Sequence, residues 1–368
     1  MRILIGLFCL FFLIIFHEFG HFIAAKIFKV KVETFSLGFG PVLFHKDIKG
    51  TDFRLSLIPL GGYCGMKGEK DFSDALNNGY STIVAEPDSL YGIHPLKRLL
   101  IAFAGPFFNF LLCVVGFTLV ALTGFRYYTL SNQIVIPEDD IRSTAKEAGL
   151  LSGDRIISVD GKPTSDFSEL IEEISIRPET TCEFSIERDG NVLFIPVYIY
   201  ADEETGSGKI GVRAFSDELI EKETEAYSFG PAVVQGFSQT FKFIRLTFVG
   251  LKQLVKGGDF EKSVAGPARV VDMVGTGVST GFSENFSSGF VTLCSLVSLI
   301  SISLCIMNLL PIPILDGGLI LFAFIEFIAR KKLNPKFLYY VQFIGLAFIL
   351  FMFVLGLMGD IKYFLKKY

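Results

Sequence analysis

Four stretches, approximately residues 3–25, 99–123, 290–310 and 338–358, each run for about the 20 apolar residues that cross a bilayer. No other feature limits the fold so strongly. An amphipathic helix of a soluble protein shows one apolar stripe, whereas these runs are apolar on every side. Hydrophobic residues make up 51% of the 368, Gly not counted, with 40 Phe and no Trp; soluble domains reach about 45–50% with Gly included. A membrane protein with about four transmembrane helices is the expected fold class, with the lipid bilayer as surroundings. The net charge of −4 lacks the basic footprint of a nucleic-acid-binding protein. Cysteines at 9, 64, 113, 182, 294 and 305 form no CxxC pair, so neither a disulfide framework nor a zinc–thiolate site is expected.

Between the second and third runs, the polar block 131–228 alternates short β-type stretches with turn signals and reads as a water-exposed domain. Residues 229–256 are amphipathic, with Lys242, Arg245, Lys252 and Lys256 recurring among Phe237, Phe241, Phe248 and Leu251. They predict a helix lying at the membrane surface, begun near Pro231 and stopped at Gly257-Gly258; a fifth span is the alternative. The basic loop 26–98 and the turn "RKKLNPK" at 330–336 place those segments in the cytoplasm. Both termini and the 131–228 domain then lie outside, although the basic tail "IKYFLKK" opposes this. The first run could instead be a secretory signal cleaved near "FIAAK", which would discard the residues considered next.

The first run contains His17, Glu18 and His21, and only four His occur in the whole chain. Polar groups in such a segment cost free energy unless they do a job. Histidines four residues apart lie on one helix face one turn apart. In this H-E-x-x-H spacing two imidazoles can hold a zinc ion, and the Glu between them takes a proton from the attacking water. A chance cluster is the bland alternative. A catalytic zinc usually has a third protein ligand, and a polar group in another apolar segment should supply it. The stretch 303–327 offers Asp316 and Glu326. Pro311 and Pro313 should end the third helix and leave an extended piece, and Gly317-Gly318 permits close backbone approach. Asp316 is expected to act as helix N-cap, as ligand, or as both, with Glu326 at the membrane boundary.

"HEFGH" (17–21) together with "NLLPIPILDGG" (308–318) resembles the site-2 protease family of intramembrane zinc metalloproteases (peptidase family M50B), in its bacterial RseP type. "FSLGFGP" (35–41), "IPLGGYCGM" (58–66), "AFAGPFFN" (102–109) and "AGLLSGDRIISVDGKP" (148–163) agree, and the resemblance runs from residue 3 to about 330. It implies one zinc ion per chain on His17, His21 and Asp316, with Glu18 as catalytic base. It further implies that Asn308 holds substrate backbone near the metal. Gly38 and Gly40 would lie in a re-entrant β-loop, and Gly61, Gly62, Tyr63 and Cys64 in a strand that pairs with unwound substrate. Where the family often has a second Asn, this chain has Ser303.

The implied organisation is a first transmembrane helix (1–25), a β-loop and edge-strand region (26–98) and a second helix (99–123). A PDZ-like domain (131–200), an acidic linker (201–228) and the interfacial helix (229–258) follow. The third helix with its motif (288–330) and a fourth (338–360) complete it. Expected partners are single-pass membrane substrates, such as an anti-sigma factor or a remnant signal peptide, and an extended peptide at the PDZ-like domain. The expected location is a bacterial inner membrane, with the active site toward the cytoplasm. A non-enzymatic zinc transporter or metal sensor is the rival reading; it has no need of Glu18.

Overall fold

The computed structural model describes residues 1–137, 142–202, 206–216, 220–255 and 265–367. The chain divides into two compact units. One comprises Met1–Ala121, Gly230–Thr240 and Ala265–Tyr368; the other comprises Leu122–Phe229 and Phe241–Val264.

In the first unit four helices are long and apolar enough to cross a membrane: Arg2–Ile27, Pro95–Thr123, Phe286–Leu309 and Pro335–Leu365. Hydropathy alone does not say which face of such a helix meets its neighbours, but residue size does, because small residues let backbones approach. On the first helix Gly6, Cys9, Leu13, His17, Gly20, His21, Ala24 and Ala25 form the buried stripe, while Ile3, Leu4, Phe8, Phe12 and Phe19 stay exposed. The two histidines therefore point into the protein. On the second helix the buried stripe includes Ile101, Ala102, Gly105, Pro106, Asn109, Cys113 and Gly116.

One element has no counterpart in the sequence reading. The helix Pro267–Glu284 packs its Val274 and Val278 against Cys9 of the first helix and Leu293, Leu296 and Val297 of the third. Its Gly, Thr and Ser content hides it from a search for apolar runs. Its N-terminus is held by Asp360 of the last helix, whose carboxylate accepts the N–H groups of Gly266 and Ala268 at 2.9 Å each. A buried carboxylate in an apolar helix thus finds a structural partner, the positive end of another helix.

Between the first two long helices the chain forms β1 (Val32–Ile48) and β2 (Thr51–Met66). Their register folds them into four rungs. Residues 42–48 pair with 51–56, residues 34–37 pair on one side with 52–55, and on the other side with 62–65. The reversal inside β1 falls where Gly38 (φ 92°) and Gly40 (φ 84°) adopt backbone that L side chains rarely take. Residues 61–66 are left as the outer rung. A short helix, Glu69–Asn77, follows.

The second unit is α+β. Its five-stranded sheet has the order Lys162–Pro163, Arg155–Val159, Thr180–Arg188, Asn191–Ala201, Gly208–Lys209. Alternate residues Cys182, Phe184 and Ile186 of the central strand face a core that includes Ile156, Leu170, Ile174, Val197 and Ile199. The Asp160-Gly161 turn has φ of 49° and 74°. The helix Phe167–Ser175 is capped by Asp166, which accepts the Glu169 N–H at 2.9 Å. The stretch 201–228, expected as a linker, instead contributes strands to this unit: Arg213–Ala214 pairs with Ile134–Val135 and Ile220–Glu223 with Arg126–Thr129. Residues Phe229–Val255 form one helix, with Phe237, Phe241 and Phe248 exposed; its expected stop at Gly257-Gly258 lies outside the described residues.

Asp154 anchors this unit. Arg188 grips its carboxylate with two bonds of 2.7 Å, and the Leu151 N–H adds a third at 2.8 Å. Burial works to raise the Asp154 pKa, but these donors hold it below the ordinary carboxylate range. A depressed folded pKa contributes stability above the unfolded value, near 3.9, and loses it as pH falls through the folded one. Arg188→Met should therefore weaken the unit by about 2 kcal/mol at neutral pH, the cost of stranding a buried acceptor. The deficit should shrink as the pH approaches 3. Hydrogen exchange of the Thr180–Arg188 strand in the full chain measures this; equal protection in variant and wild type at pH 7 would contradict it.

Candidate active site

The first helix, the second helix and the chain after Pro311 meet at His17, His21 and Asp316. The third long helix ends at Leu309, where Pro311 and Pro313 follow, and Ile314 takes φ 84° as the chain turns back. Asp316 is the first residue of the helix Asp316–Ala329; its cap is Leu315, with no side-chain cap bond. The N-cap expectation for Asp316 is thus corrected: its carboxylate is spent on the histidines. Glycine at 317 and 318 lets the helix start against the Leu310 and Ile312 carbonyls, where a Cβ would collide.

His17 Nε2 lies 3.1 Å from Asp316 Oδ2, and His21 Nε2 lies 3.3 Å from Asp316 Oδ1. The two Nε2 atoms are 3.3 Å apart, and one ligand atom from each residue falls within 4.8 Å of the others. His21 Nδ1 is 2.8 Å from the Ile101 carbonyl. A carbonyl only accepts, so Nδ1 carries the hydrogen and the neutral ring presents a lone pair at Nε2. Lone pairs of buried imidazole and carboxylate facing each other repel unless a cation lies among them. Two imidazoles and a carboxylate match the three protein ligands of a catalytic zinc with an open position. The donor set fits zinc.

Glu18 lies beside this cluster. The Cys64 N–H donates to its Oε2 at 3.1 Å, so the outer rung 61–66 directs backbone groups of Cys64 away from the sheet and toward the site. Burial, with Glu18 nearby, pushes the Cys64 thiol up to about 12.

A cavity of about 550 Å³ joins His17, Glu18, His21 and Asp316 to Tyr63, Cys64 and Asn308. Gly38, Gly40 and Gly61 do not line it; Gly61 packs on the Phe39 ring, and Gly62 stands near Glu18. Ser303 does not line it either, its hydroxyl donating to the Leu299 carbonyl at 2.9 Å. Glu326, expected at the membrane boundary, is turned inward: it is 6% exposed, pairs with Arg98, and accepts the Leu333 N–H at 2.8 Å.

Two residues beside the cluster of His17, His21 and Asp316 stand out only in the fold. Gly105 stands where a Cβ would meet the Nε2 atoms of both histidines. Asn109, fully buried, places its side-chain nitrogen Nδ2 3.1 Å from His17 Nδ1. A lone amide in an apolar run was the available signal for Asn109, the same signal that singled out Asp316.

The chain matches the model of Peptidase family M50 over residues 5–352. It is 34% identical to a protein of Treponema pallidum, across 98% of this chain and 99% of the relative. It is 33% identical to one of Campylobacter jejuni, across 95% and 90%, and 32% identical to one of Helicobacter pylori, across 95% and 96%. All three are provisionally named zinc metalloproteases. The chain therefore belongs to peptidase family M50. It is a metalloprotease whose cofactor is zinc, and the transport and sensing alternative falls away.

Proposed function

We propose that this metalloprotease cuts substrates within their membrane-spanning segments, with His17, His21 and Asp316 as zinc ligands and Glu18 as catalytic base. The observation that carries the proposal is the convergence of these four side chains between apolar helices, beside an outer strand rung. When bound, zinc supplies a Lewis acid for the scissile carbonyl and brings the pKa of the attacking water down toward about 7. Glu18, held at Oε2 by the Cys64 N–H, takes the proton from that water and delivers it to the leaving amine. A helical substrate hides its peptide bonds in its own hydrogen bonds and must be unwound first. The rung 61–66 can accept the extended segment by strand addition, with Tyr63 and Cys64 at the cavity and Asn308 bonding the substrate backbone.

The second unit acts as a PDZ-like module for an extended peptide, on the strength of its sheet, its Asp160-Gly161 hairpin and its 167–175 helix. The basic segments 26–98 and 330–336 support an inner-membrane orientation with the active site toward the cytoplasm and the PDZ-like unit in the periplasm. Single-pass proteins such as an anti-sigma factor or a remnant signal peptide are the substrates of choice.

In cells, Glu18→Gln should accumulate uncut single-span proteins while the purified variant keeps its zinc. Cleavage should drop by about 10²- to 10⁴-fold, the usual worth of a general base. A membrane proteome unchanged from wild type would count against the proposal.

A further inference from the structure

The two histidines are held from behind by the same helix. His21 donates Nδ1–H to the Ile101 carbonyl, and Pro106, which has no N–H, makes no helical bond to the neighbouring Ala102 carbonyl. Two turns further along, Asn109 turns its Nδ2 toward His17 Nδ1, 3.1 Å away, with its Oδ1 on the far side. Its place is fixed from the third helix, where the Ser301 hydroxyl donates to the Asn109 backbone carbonyl at 2.8 Å. Asn109 is 0% exposed, and its side-chain Oδ1 has no hydrogen-bond partner among the described residues. A spare buried acceptor thus sits on the amide that touches a metal-ligand ring.

An amide has a donor end and an acceptor end that exchange places by a half-turn. If Asn109 donates to Nδ1, the hydrogen of neutral His17 is on Nε2 and points into the ligand cluster. If Asn109 accepts from Nδ1–H, Nε2 presents a lone pair there, as His21 already does. Only the second arrangement makes both rings ligands.

We infer that Asn109 is a positioning residue for the metal: its Oδ1 accepts Nδ1–H of His17 and so fixes the ring's tautomer and orientation. This rests on the reading that His17, His21 and Asp316 hold zinc. The pairing is of the kind that oxygen acceptors make behind metal-bound imidazoles. The half-turn gives the buried oxygen a partner and takes one from the amide nitrogen, so what favours it is the lone pair it leaves at His17 Nε2; the second helix then supplies both rings with an oxygen acceptor, a carbonyl at 101 and an amide at 109.

Two variants of the full chain in detergent decide the matter through zinc affinity, measured by competition with a chromophoric chelator, and through the absorption spectrum of the cobalt-substituted protein. Asn109→Leu keeps the size and removes the acceptor; its zinc affinity should fall about 10- to 100-fold, the usual effect of losing such a partner. Asn109→Asp keeps an acceptor and removes the donor; it should hold zinc within about threefold of wild type, with an unchanged cobalt spectrum. A mere packing role reverses that order, since a buried carboxylate is costlier to accommodate than an apolar side chain. Unchanged affinity in Asn109→Leu, or loss in Asn109→Asp equal to or greater than that in Asn109→Leu, overturns the inference. If Asn109→Leu does not fold, the aspartate variant decides alone: retention supports the inference and loss refutes it. Absence of zinc from the wild type would instead overturn the ligand set, and this inference with it.

Discussion

Asp316→Ala should purify without stoichiometric zinc and without detectable peptidase activity. The carboxylate reaches both Nε2 atoms, at 3.1 and 3.3 Å, and a two-histidine remnant is one ligand short of a catalytic site. The fall in zinc affinity should exceed the roughly 10- to 100-fold typical of losing an outer partner. Stability gives an independent readout. Zinc at about 1,000 times its Kd stabilises a folded protein by about 4 kcal/mol, so added zinc should raise the unfolding temperature of wild type and leave Asp316→Ala unmoved. Full zinc occupancy with full activity in the variant would show that the third ligand lies elsewhere.

Gly105→Ala should be nearly as severe, although it adds one methyl group and no charge. The new Cβ would occupy the space of His21 Nε2 and stand 2.8 Å from His17 Nε2. A flexible side chain would swing away at small cost. These rings are pinned at Nδ1, by the Ile101 carbonyl and the Asn109 amide, so relief requires giving up those bonds or parting the helices. At least a 10²-fold loss of zinc affinity is expected, a larger effect than that of an outer partner. Gly230→Ala, on a helix with open space around the added Cβ, is the control and should bind zinc as wild type does. Equal zinc affinity in both variants would mean that the second helix does not approach the histidines as described.

The sequence exposes a membrane protein's apolar runs and its misplaced polar groups, and both carried far here. His17, Glu18, His21 and Asp316 stand out because lipid penalises them, and the structure gathers them at one point. The same criterion cannot sort function from support. Asp360 is as anomalous in its helix as Asp316 is near its own, yet it caps the neighbouring helix Pro267–Glu284. Glu326 looked like a boundary charge and is instead an interior partner of Arg98. Asn109 was in view within "AFAGPFFN", but its bearing on His17 depends on two helices running side by side, which no local pattern encodes. The helix 267–284 escaped because its glycines and hydroxyls resemble loop composition, while in the fold they allow close packing: Gly275 rests on the Arg2 carbonyl and Gly6 on the Val271 carbonyl. The strands within 201–228 were hidden for a related reason. Two- and four-residue strands have no period to detect, and they form because Ile134–Val135 and Arg126–Thr129 are waiting to pair with them.

The most direct test of the account is the position and dependence of the cut. Purified wild type and Glu18→Gln, each carrying one zinc per chain, would be incubated in detergent with a single-span substrate, and the products mapped by mass spectrometry. Wild type should cleave at a peptide bond inside the substrate's apolar segment, and Glu18→Gln should do so at a rate at least about 10²-fold lower at equal zinc content. Cleavage confined to the substrate's water-exposed parts, or an undiminished rate in Glu18→Gln, would contradict it.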